Sequence, residues 1–210
     1  MFKNRHEAGY LLALALEKQK VDFDVVLGVP RGGVVVAEAV ASYFDCPLDV
    51  VLARKFGSPN WEEYAVGAVA PDGEILIHER VRELIDADMA MINRLAEKVR
   101  QDINERLDFF RSQRLPVDLK GKKVLLTDDG IATGFTLKAA ISYLDRQSTA
   151  GVIIAVPVSS HNAYLDLVEV VDQMLVLEQP ENFYAVSQFY EEFETVQDQT
   201  VVKILKRAKS

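Results

Sequence analysis

The most informative stretch of the chain reads VLLTDDGIATGFT and occupies residues 124–136. It starts as a continuously apolar strand, reaches the adjacent carboxylates Asp128 and Asp129, and passes through small residues into a helical pattern. A loop of this kind at a helix N-terminus directs several backbone N–H groups into one space beside the positive end of the helix dipole, where phosphate is the natural occupant. The hydroxyls of Thr133 and Thr136 can add donors, and the carboxylates can accept hydrogen bonds from sugar hydroxyls or hold Mg²⁺-bound water. The stretch therefore predicts a site for a ribose 5-phosphate.

A simpler interpretation of the same residues stays open at this point. Either aspartate alone is typical of an ordinary helix cap, in which case Gly134 only eases the turn. The strand-to-helix setting of the whole run, rather than any single residue, favours the anion site. Two common phosphate loops are excluded, because the chain contains neither G-x-x-x-x-G-K-[ST] nor G-x-G-x-x-G.

Outward from this stretch, apolar runs alternate with helical patterns along the chain. The runs are continuously apolar, as in parallel strands that are covered on both faces. The predicted strands are residues 24–27, 49–52, 123–127, 152–156 and 173–177. The predicted helices are residues 5–19, 33–44, 135–147 and 161–170, with a terminal helix at 201–209. We therefore expect an α/β fold with an open, doubly wound, mostly parallel sheet, whose ligands bind at the carboxyl ends of the strands.

A long helix and a hairpin interrupt this alternation. Apolar residues at steps of three or four predict a single helix over about 88–114, of order 40 Å at 1.5 Å per residue. Two interpretations of this helix stay open: it packs on the core with a solvated outer face, or it forms a dimer seam or a lid. Before it, the turn signal Pro71-Asp72-Gly73 between residues 65–69 and 74–77 predicts an inserted hairpin.

The composition supports one globular domain. The chain has 210 residues, 49% apolar and 27% charged, so it can build a hydrophobic core and is not a disordered chain. We expect a single domain over residues 1–210, with a helical insertion at about 78–116 and a small C-terminal segment at about 179–195, which we name the hood. The single cysteine, Cys46, excludes an intrachain disulfide and fits a reducing compartment, and the scattered histidines indicate no metal triad.

Charge and hydropathy narrow the classes of partner. The 24 basic residues against 32 acidic ones give a net charge of −8, which disfavours a general nucleic-acid surface but leaves room for a local phosphate site. No apolar run approaches the roughly 20 residues that span a bilayer, so we expect no membrane partner. The first helix lacks a cleavage site of the kind that follows a signal peptide, and we therefore expect a cytoplasmic protein.

Two further loops carry groups that suit phosphate oxygens. In the run LGVPRGG, Gly32 and Gly33 permit a close backbone approach, and Arg31 offers a fixed fork of donors. Arg54 and Lys55 leave the second predicted strand and add two cations. Each loop alone is compatible with an ordinary turn that bears solvated charges. Parallel strands would bring all three loops to one edge of the sheet, and this convergence is informative in an acidic protein.

The run at residues 124–136 resembles the 5-phosphoribosyl 1-pyrophosphate (PRPP) signature of type I phosphoribosyltransferases. The resemblance covers the core, about residues 20–57 and 120–180, and does not obviously cover the long helix. It implies a Mg²⁺-dependent transfer of the 5-phosphoribosyl group from PRPP to an unidentified small-molecule acceptor, such as a nucleobase, with release of pyrophosphate. Two alternatives stay open here. One is a non-catalytic PRPP or nucleotide sensor of the same fold, and the other is a related transferase or phosphorylase that acts on ribose phosphates. A homodimer is compatible with each of these functions.

The resemblance also implies roles for individual residues. The 5-phosphate would lie on the loop 131–136, the ribose hydroxyls on Asp128 and Asp129, and the pyrophosphate on the two other loops. Mg²⁺ would be held mainly through PRPP, with Asp128 or Asp129 as a ligand through water, and no general base is identifiable. The predicted catalytic residues are Asp128, Asp129, Arg31 and Lys55. The predicted PRPP-binding residues are Arg31, Gly32, Gly33, Arg54, Lys55, Asp128, Asp129, Gly130, Ile131, Ala132, Thr133, Gly134, Phe135 and Thr136.

The hood is expected, by the same resemblance, to cover the acceptor. Phe183 or Tyr184 could stack on a base and Asn182 could read its edge, although aromatic residues at this spacing also serve in packing. Ala132 departs from the hypoxanthine–guanine enzymes of the family, which carry an aspartate at the corresponding place in the loop. This difference disfavours 6-oxopurine salvage and leaves the acceptor open.

Overall fold

The computed structural model of the chain describes residues 1–57, 65–77, 89–112 and 114–209. The strands are β1 (Val25–Gly28), β2 (Leu48–Val50), β3 (Arg54–Gly57), β4 (Ala65–Val69), β5 (Ile75–Ile77), β6 (Lys123–Thr127), β7 (Gly151–Val158) and β8 (Gln173–Glu178). The α-helices are α1 (Arg5–Lys18), α2 (Gly32–Phe44), α3 (Met89–Arg111), α4 (Phe135–Arg146), α5 (His161–Val168) and α6 (Asp198–Arg207). A 3₁₀ helix spans Val186–Phe189 in the hood.

A parallel sheet forms the centre of the molecule, with the strand order β2-β1-β6-β7-β8. Successive residues of one strand face opposite cores, so each strand must be apolar throughout. Val26 and Leu125 pack with α1, α2, α3 and α6, whereas Val25 and Leu126 pack with α4 and α5. Each such side chain is fully buried, which stabilises the fold by roughly 1.5–3 kcal/mol per residue. The predicted doubly wound parallel sheet is confirmed.

The strand order reverses between β1 and β6, which pair directly in the sheet. Gly28, the last residue of β1, lies opposite Thr127, the last residue of β6. The connection from β1 leads to α2 on one face, and the connection from β6 leads to α4 on the other. Such a switch point leaves a crevice at the carboxyl edge of the sheet, where ligands of open α/β folds bind.

A small antiparallel sheet, β3-β4-β5, lies beside the central one. The predicted hairpin is confirmed, since β4 and β5 pair antiparallel with Gly67 opposite Ile77. Strand β3 was expected as loop, and the structure corrects this: Arg54 lies opposite Val69, and Phe56 is the one buried side chain of the strand. The strand was not predicted because it has only four residues and begins with two cations, Arg54 and Lys55. Its extended conformation depends on pairing with β4 rather than on the strand propensity of its own residues.

Helix α3 lies on the core rather than away from it. Its side chains Ile92, Ile103, Leu107 and Phe110 are buried in the same cluster as α1 and α2. The expected packing of the helix on the core is thereby confirmed, although the helix ends at Arg111 instead of residue 114. The left-handed conformation of Ser112, with φ +50°, ends it earlier than expected. Residues 78–88 of the predicted insertion lie outside the described residues.

The start of the chain joins the hood. Phe2 pairs with Tyr190 in a parallel bridge, and its N–H donates to the carbonyl of Phe189 at 2.8 Å. Phe2, Phe189 and Tyr190 form a small separate core with Ala8 of α1 and Val158 of β7. The hood is therefore fixed to the sheet edge by the first residues of the chain. Within the described ranges, no helix combines the length and the apolar character that a membrane span requires.

Candidate active site

The loop between β6 and α4 is fixed by hydrogen bonds to the end of β7. The N–H of Ile131 donates to the carbonyl of Val158 at 2.9 Å, and the N–H of Ser160 donates back to the carbonyl of Ile131 at 2.9 Å. The hydroxyl of Ser160 donates to the carbonyl of Ala132 at 2.7 Å. Gly134, with φ +68°, then starts α4 in a conformation that favours glycine. The loop thus offers a preformed set of backbone N–H groups at a helix N-terminus.

The adjacent carboxylates of Asp128 and Asp129 lie at the start of this loop. Asp128 Oδ1 accepts the N–H of Asp129 at 2.8 Å. Burial raises the pKa of Asp128 well above its usual range, and the charge of Asp129 raises it further. Burial also raises the pKa of Asp129, but the guanidinium of Arg5 opposes this shift. The pair therefore takes up protons more readily than exposed aspartates do, and it gains most from a cation or a hydroxyl donor that compensates its charge.

Arg5, at the start of α1, is a site residue that sequence reasoning missed. Its Nε donates to Asp129 Oδ2 at 2.7 Å, and its Nη1 donates to the carbonyl of Glu194 at 2.8 Å. The guanidinium lies over the ring of Phe193, 3.7 Å from the centroid, and the side chain is only 10% exposed. The helix dipole disfavours a cation in the first turn of a helix. The presence of Arg5 at this position was therefore the signal in the sequence that could have indicated a nearby anionic partner.

The loop between β1 and α2 packs directly against the acid pair. A Cβ at Gly32 would overlap the Asp129 carboxylate and lie 2.9 Å from Arg5 Nε. A Cβ at Gly33 would lie 2.7 Å from the Cα of Asp128. The two predicted glycines are therefore required by the close approach of this loop to the carboxylates.

A basic cavity of about 300 Å³ opens beside these loops. It is lined by Pro30, Arg31, Leu52, Ala53, Arg54, Lys55 and Arg106. Lys55 Nζ donates to Thr133 Oγ1 at 3.0 Å, which joins the cavity to the loop of residues 131–136. Arg54 pairs with Asp102 of α3 at 3.4 Å. The cavity therefore combines four cations, a set suited to a multiply charged anion such as pyrophosphate.

Arg106 is the second residue that sequence reasoning missed. It lies on α3, where the mixed charges indicated a solvated outer face. Its Nη2 donates to both carboxylate oxygens of Asp198, at 2.8 and 3.0 Å, and the same carboxylate lies 3.5 Å from Arg31 Nη1. Because Arg106 and Asp198 are 92 residues apart in sequence, no local pattern could have indicated their contact.

The hood reaches the loop through Val186 and Tyr190. Val186 lies against Gly130, where a Cβ would come within 2.6 Å of it. The hydroxyl of Tyr190 donates to the carbonyl of Asp129 at 2.6 Å. Of the residues predicted to face the acceptor, Phe183 packs on Phe189, and Asn182, Phe183 and Tyr184 occupy the stretch just before Val186.

The acid pair is the donor set to consider for a divalent cation. Among the described residues, no group of three His, Cys, Asp or Glu side chains could hold a metal ion alone. Asp128 and Asp129 offer the hard oxygen ligands that Mg²⁺ prefers, and a cation would offset the cost of burying their charges, which is the main cause of their raised pKa values. The residues therefore fit an ion that completes its coordination with phosphate oxygens and water.

The chain is thus an α/β protein whose candidate site, at the switch point of a parallel sheet, combines a glycine-containing loop at a helix N-terminus, an acid pair and a basic cavity. Residues 6–194 match the family described as "Phosphoribosyl transferase domain", and the chain belongs to this family. The family prediction is thereby confirmed.

Similar proteins agree with this assignment. The chain is 36% identical over 208 residues to a Mycobacterium tuberculosis protein named "Putative phosphoribosyl transferase Rv0571c", an alignment that covers 99% of this chain and 47% of that protein. The chain thus spans about half the length of the curated relatives it matches. It is also similar to the crystal structure of TT1426 from Thermus thermophilus, with 38% identity, a TM-score of 0.86 and complete coverage of both chains.

Proposed function

We propose that this chain transfers the 5-phosphoribosyl group of PRPP to a small-molecule acceptor and releases pyrophosphate. One observation carries the proposal. Where strands β1 and β6 end, the loop of residues 131–136 (the phosphate loop), the acid pair and the basic cavity adjoin one another, so that together they can meet the three parts of PRPP. Gly33 is in contact with Asp128, and Lys55 reaches Thr133, so the three parts form one continuous site.

The phosphate loop and the acid pair would hold the ribose 5-phosphate portion. Backbone N–H groups of residues 131–136 and the hydroxyls of Thr133 and Thr136 suit the 5-phosphate. Asp128 and Asp129 suit the ribose hydroxyls, which can donate to carboxylates. Arg5 would keep Asp129 charged and oriented, since its Nε lies 2.7 Å from Asp129 Oδ2.

The basic cavity would hold the pyrophosphate, together with the backbone at Gly32 and Gly33. Arg31, Arg54 and Lys55 supply cations there. Mg²⁺, when bound, neutralises charge on the pyrophosphate, and Asp128 or Asp129 would hold it through water.

The transfer breaks the bond between the anomeric carbon and the pyrophosphate oxygen, and the departing pyrophosphate takes the electron pair. A lone pair of the acceptor forms the new bond to the anomeric carbon, and the acceptor loses its proton to solvent or to a base. The transition state resembles an oxocarbenium ion, as in glycoside hydrolysis. The carboxylates beside the ring and the cations at the pyrophosphate stabilise the charges that separate.

The acceptor site would lie under the hood. Asn182, Phe183 and Tyr184 are the proposed acceptor contacts, and Tyr184, with 86% of its surface exposed, is available for stacking on a planar ring. Ala132 supplies no carboxylate in the loop, so we expect acceptors other than 6-oxopurines to be preferred.

Titration calorimetry with PRPP, with and without Mg²⁺, tests the binding step. We expect PRPP to bind more tightly with Mg²⁺, and ribose 5-phosphate to bind independently of it. Pyrophosphate release across a panel of nucleobases and other planar amines tests the transfer. Firm PRPP binding with no release from any acceptor would favour a sensor, and no heat with either ligand at millimolar concentration would overturn the proposal.

The variant Lys55→Ala tests whether the cavity acts on the leaving group. We expect kcat to fall about 10²-fold, because the lysine interacts most strongly with charge that develops on departing pyrophosphate. Since Lys55 also contacts Thr133, ribose 5-phosphate binding should weaken as well, though less than kcat falls. An unchanged kcat, with only KM for PRPP raised, would assign to Lys55 a role in ground-state binding alone.

A further inference from the structure

A carboxylate from the last helix lies between two arginines of the basic cavity. Asp198, the first residue of α6, accepts both hydrogen bonds of Arg106 and forms the ion pair with Arg31. The side chains of Arg31, Arg106 and Asp198 are 40%, 39% and 36% exposed. Ion pairs this accessible to water contribute little to stability, and their partners exchange readily with ions from solution.

We infer that Arg106 binds pyrophosphate beside Arg31, and that Asp198 occupies both arginines until the pyrophosphate displaces it. This inference rests on the proposed function, because it assigns the basic cavity to the pyrophosphate of PRPP. Arg106 lines the same cavity as Arg31 and Lys55, so the three cations can reach one ligand. A long helix that packs on the outer face of the core thereby contributes directly to ligand binding.

The charges explain why a carboxylate lies at this place. Arg31 and Arg106 both contact Asp198 Oδ1, so their like charges would repel each other without an anion between them. Pyrophosphate carries more charge than one carboxylate and presents several oxygens, which allows a two-pronged hydrogen bond to each guanidinium. It can therefore take over both arginines, while smaller monoanions gain less from the exchange.

Helix α3 holds Arg106 ready for either partner. The guanidinium of Arg106 lies over the ring of Phe110, 5.5 Å from the centroid, and Phe110 itself is fully buried. When pyrophosphate leaves after transfer, Asp198 can take back the two arginines, and this competition would favour product departure. Release of product limits turnover in many enzymes, so an internal counter-ion here has a functional value.

Calorimetry with magnesium pyrophosphate on Asp198→Asn and Arg106→Gln tests the inference, with ribose 5-phosphate as the second ligand. We expect Asp198→Asn to bind pyrophosphate about two- to fivefold more tightly, since the competing ion pairs are lost. Arg106→Gln should bind it at least about tenfold more weakly, because a charge-assisted hydrogen bond is lost. In the double variant, which combines Arg106→Gln with Asp198→Asn, the increase in pyrophosphate affinity caused by Asp198→Asn should be smaller. Arg31 is then the one arginine of the two that the loss of the Asp198 carboxylate makes available to pyrophosphate. Both single variants should bind ribose 5-phosphate as the unmodified protein does.

Matched controls separate these effects from general changes in charge. Arg100→Gln removes a cation from the same helix, where Arg100 pairs with Glu97, and Asp22→Asn removes an exposed carboxylate at the opposite sheet edge. Neither should alter pyrophosphate binding. Thermal unfolding of every variant checks folding, and Asp198→Ser is a second substitution that keeps a polar side chain at the start of α6.

The outcomes distinguish this inference from the proposed function. Unchanged or weaker pyrophosphate binding by folded Asp198→Asn and Asp198→Ser, with ribose 5-phosphate binding intact, would show that Asp198 orients the arginines and would overturn the inference. Normal pyrophosphate binding by Arg106→Gln would overturn the role of Arg106. If the unmodified protein binds neither ligand, the proposed function itself is wrong.

Discussion

Asp128 and Asp129, which we propose to bind the ligand, lower the stability of the folded protein because their charges are buried. The two carboxylates are adjacent in sequence and largely buried, and the guanidinium of Arg5 lies beside Asp129. Burial raises both pKa values, so the folded protein binds protons at these groups more tightly than the unfolded chain does. The contribution of this pair to the stability of the ligand-free protein therefore decreases as the pH rises from about 4 through the raised pKa values.

The variant Asp128→Asn tests this linkage. It removes the charge that burial opposes, so we expect it to unfold at a higher temperature than the unmodified protein at pH 7–8. The difference should shrink toward pH 4, where Asp128 is protonated in the folded protein and the penalty is absent. PRPP binding should weaken by roughly 1.5–3 kcal/mol, because a charge-assisted hydrogen bond is lost. Thermal unfolding at several pH values and calorimetry measure the two effects.

The control for this prediction is Asp166→Asn, which removes an exposed carboxylate paired with Lys138. Its stability should follow the pH curve of the unmodified protein. A variant Asp128→Asn that is less stable at every pH would identify Asp128 as a structural cap and contradict our account of the acid pair.

Arg5→Met removes the guanidinium beside Asp129 and keeps most of the apolar side chain. We expect the free energy of unfolding to fall by about 1.5–3 kcal/mol, since hydrogen bonds to Asp129 and to the Glu194 carbonyl are lost. Without the nearby cation the pKa of Asp129 should rise further, so the pH midpoint of PRPP binding should move upward. Urea unfolding and the pH profile of binding provide the measurements.

Arg146→Met is the matched control, because Arg146 pairs with Asp72 on the surface, away from the crevice. It should leave the pH profile of PRPP binding unchanged. A midpoint that does not move in Arg5→Met would show that Arg5 supports the fold without acting on Asp129.

At the scale of elements, the central sheet was predictable and the small sheet was less so. Strands such as β6 and β7 are covered on both faces, and this leaves a continuously apolar signature in the sequence. β3 carries Arg54 and Lys55 and gains its order from pairing with β4, so local sequence could not indicate it. The loops of the candidate site could be predicted from the sequence, because small residues and charged residues directly follow the ends of the predicted strands.

Contacts between distant elements were not predictable in the same way. Arg5 meets Asp129 across 124 residues, and Arg106 meets Asp198 across 92. The mixed charges of α3 do not distinguish Arg106 from its neighbours, and the position of Arg5 in the first turn of α1 does not indicate its partner. Only the folded arrangement of α1, α3 and α6 around the crevice assigns them to the site.

Gly32→Ala tests how closely the β1–α2 turn must approach the acid pair. The added Cβ would overlap the Asp129 carboxylate, so we expect that side chain to move and PRPP affinity to fall at least about tenfold. The matched control is Gly151→Ala at the opposite sheet edge, where the Cβ would lie 2.9 Å from Asp172 Oδ2. It should lower the melting temperature without changing affinity. Equal affinities in the two variants would contradict the proposed arrangement.

At the scale of the whole molecule, the hood and the start of the chain form one unit with the site. The backbone of Phe2 pairs with the hood, Arg5 contacts Glu194, and Tyr190 contacts Asp129. Burial and the charge of Asp129 raise the pKa of Tyr190, so its hydroxyl remains a donor over the ordinary pH range. Changes in the hood should therefore reach the carboxylates directly.

Tyr190→Phe removes the hydrogen bond to the carbonyl of Asp129 and keeps the ring. We expect the free energy of unfolding to fall by about 0.5–1.5 kcal/mol and PRPP affinity to decrease, because the backbone of Asp129 loses a partner. Tyr43→Phe is the control, since its hydroxyl donates to Glu17 on the surface at 2.7 Å. Denaturation and calorimetry on both variants give the comparison, and identical PRPP binding by the two would refute a link between hood and site.

The pairing of β1 with β6 also sets the time at which a newly made chain becomes competent to bind. Val25 and Val124 are neighbours in the sheet but 124 − 25 = 99 residues apart in sequence. At ordinary rates of translation, the ribosome needs roughly 5–20 s to pass from one strand to the other. During that interval Arg5 and the glycine turn exist without the carboxylates they are to contact. On the proposed function, a chain that still lacks β6 therefore cannot hold PRPP, and only the finished core would gain the stabilisation that a bound ligand provides.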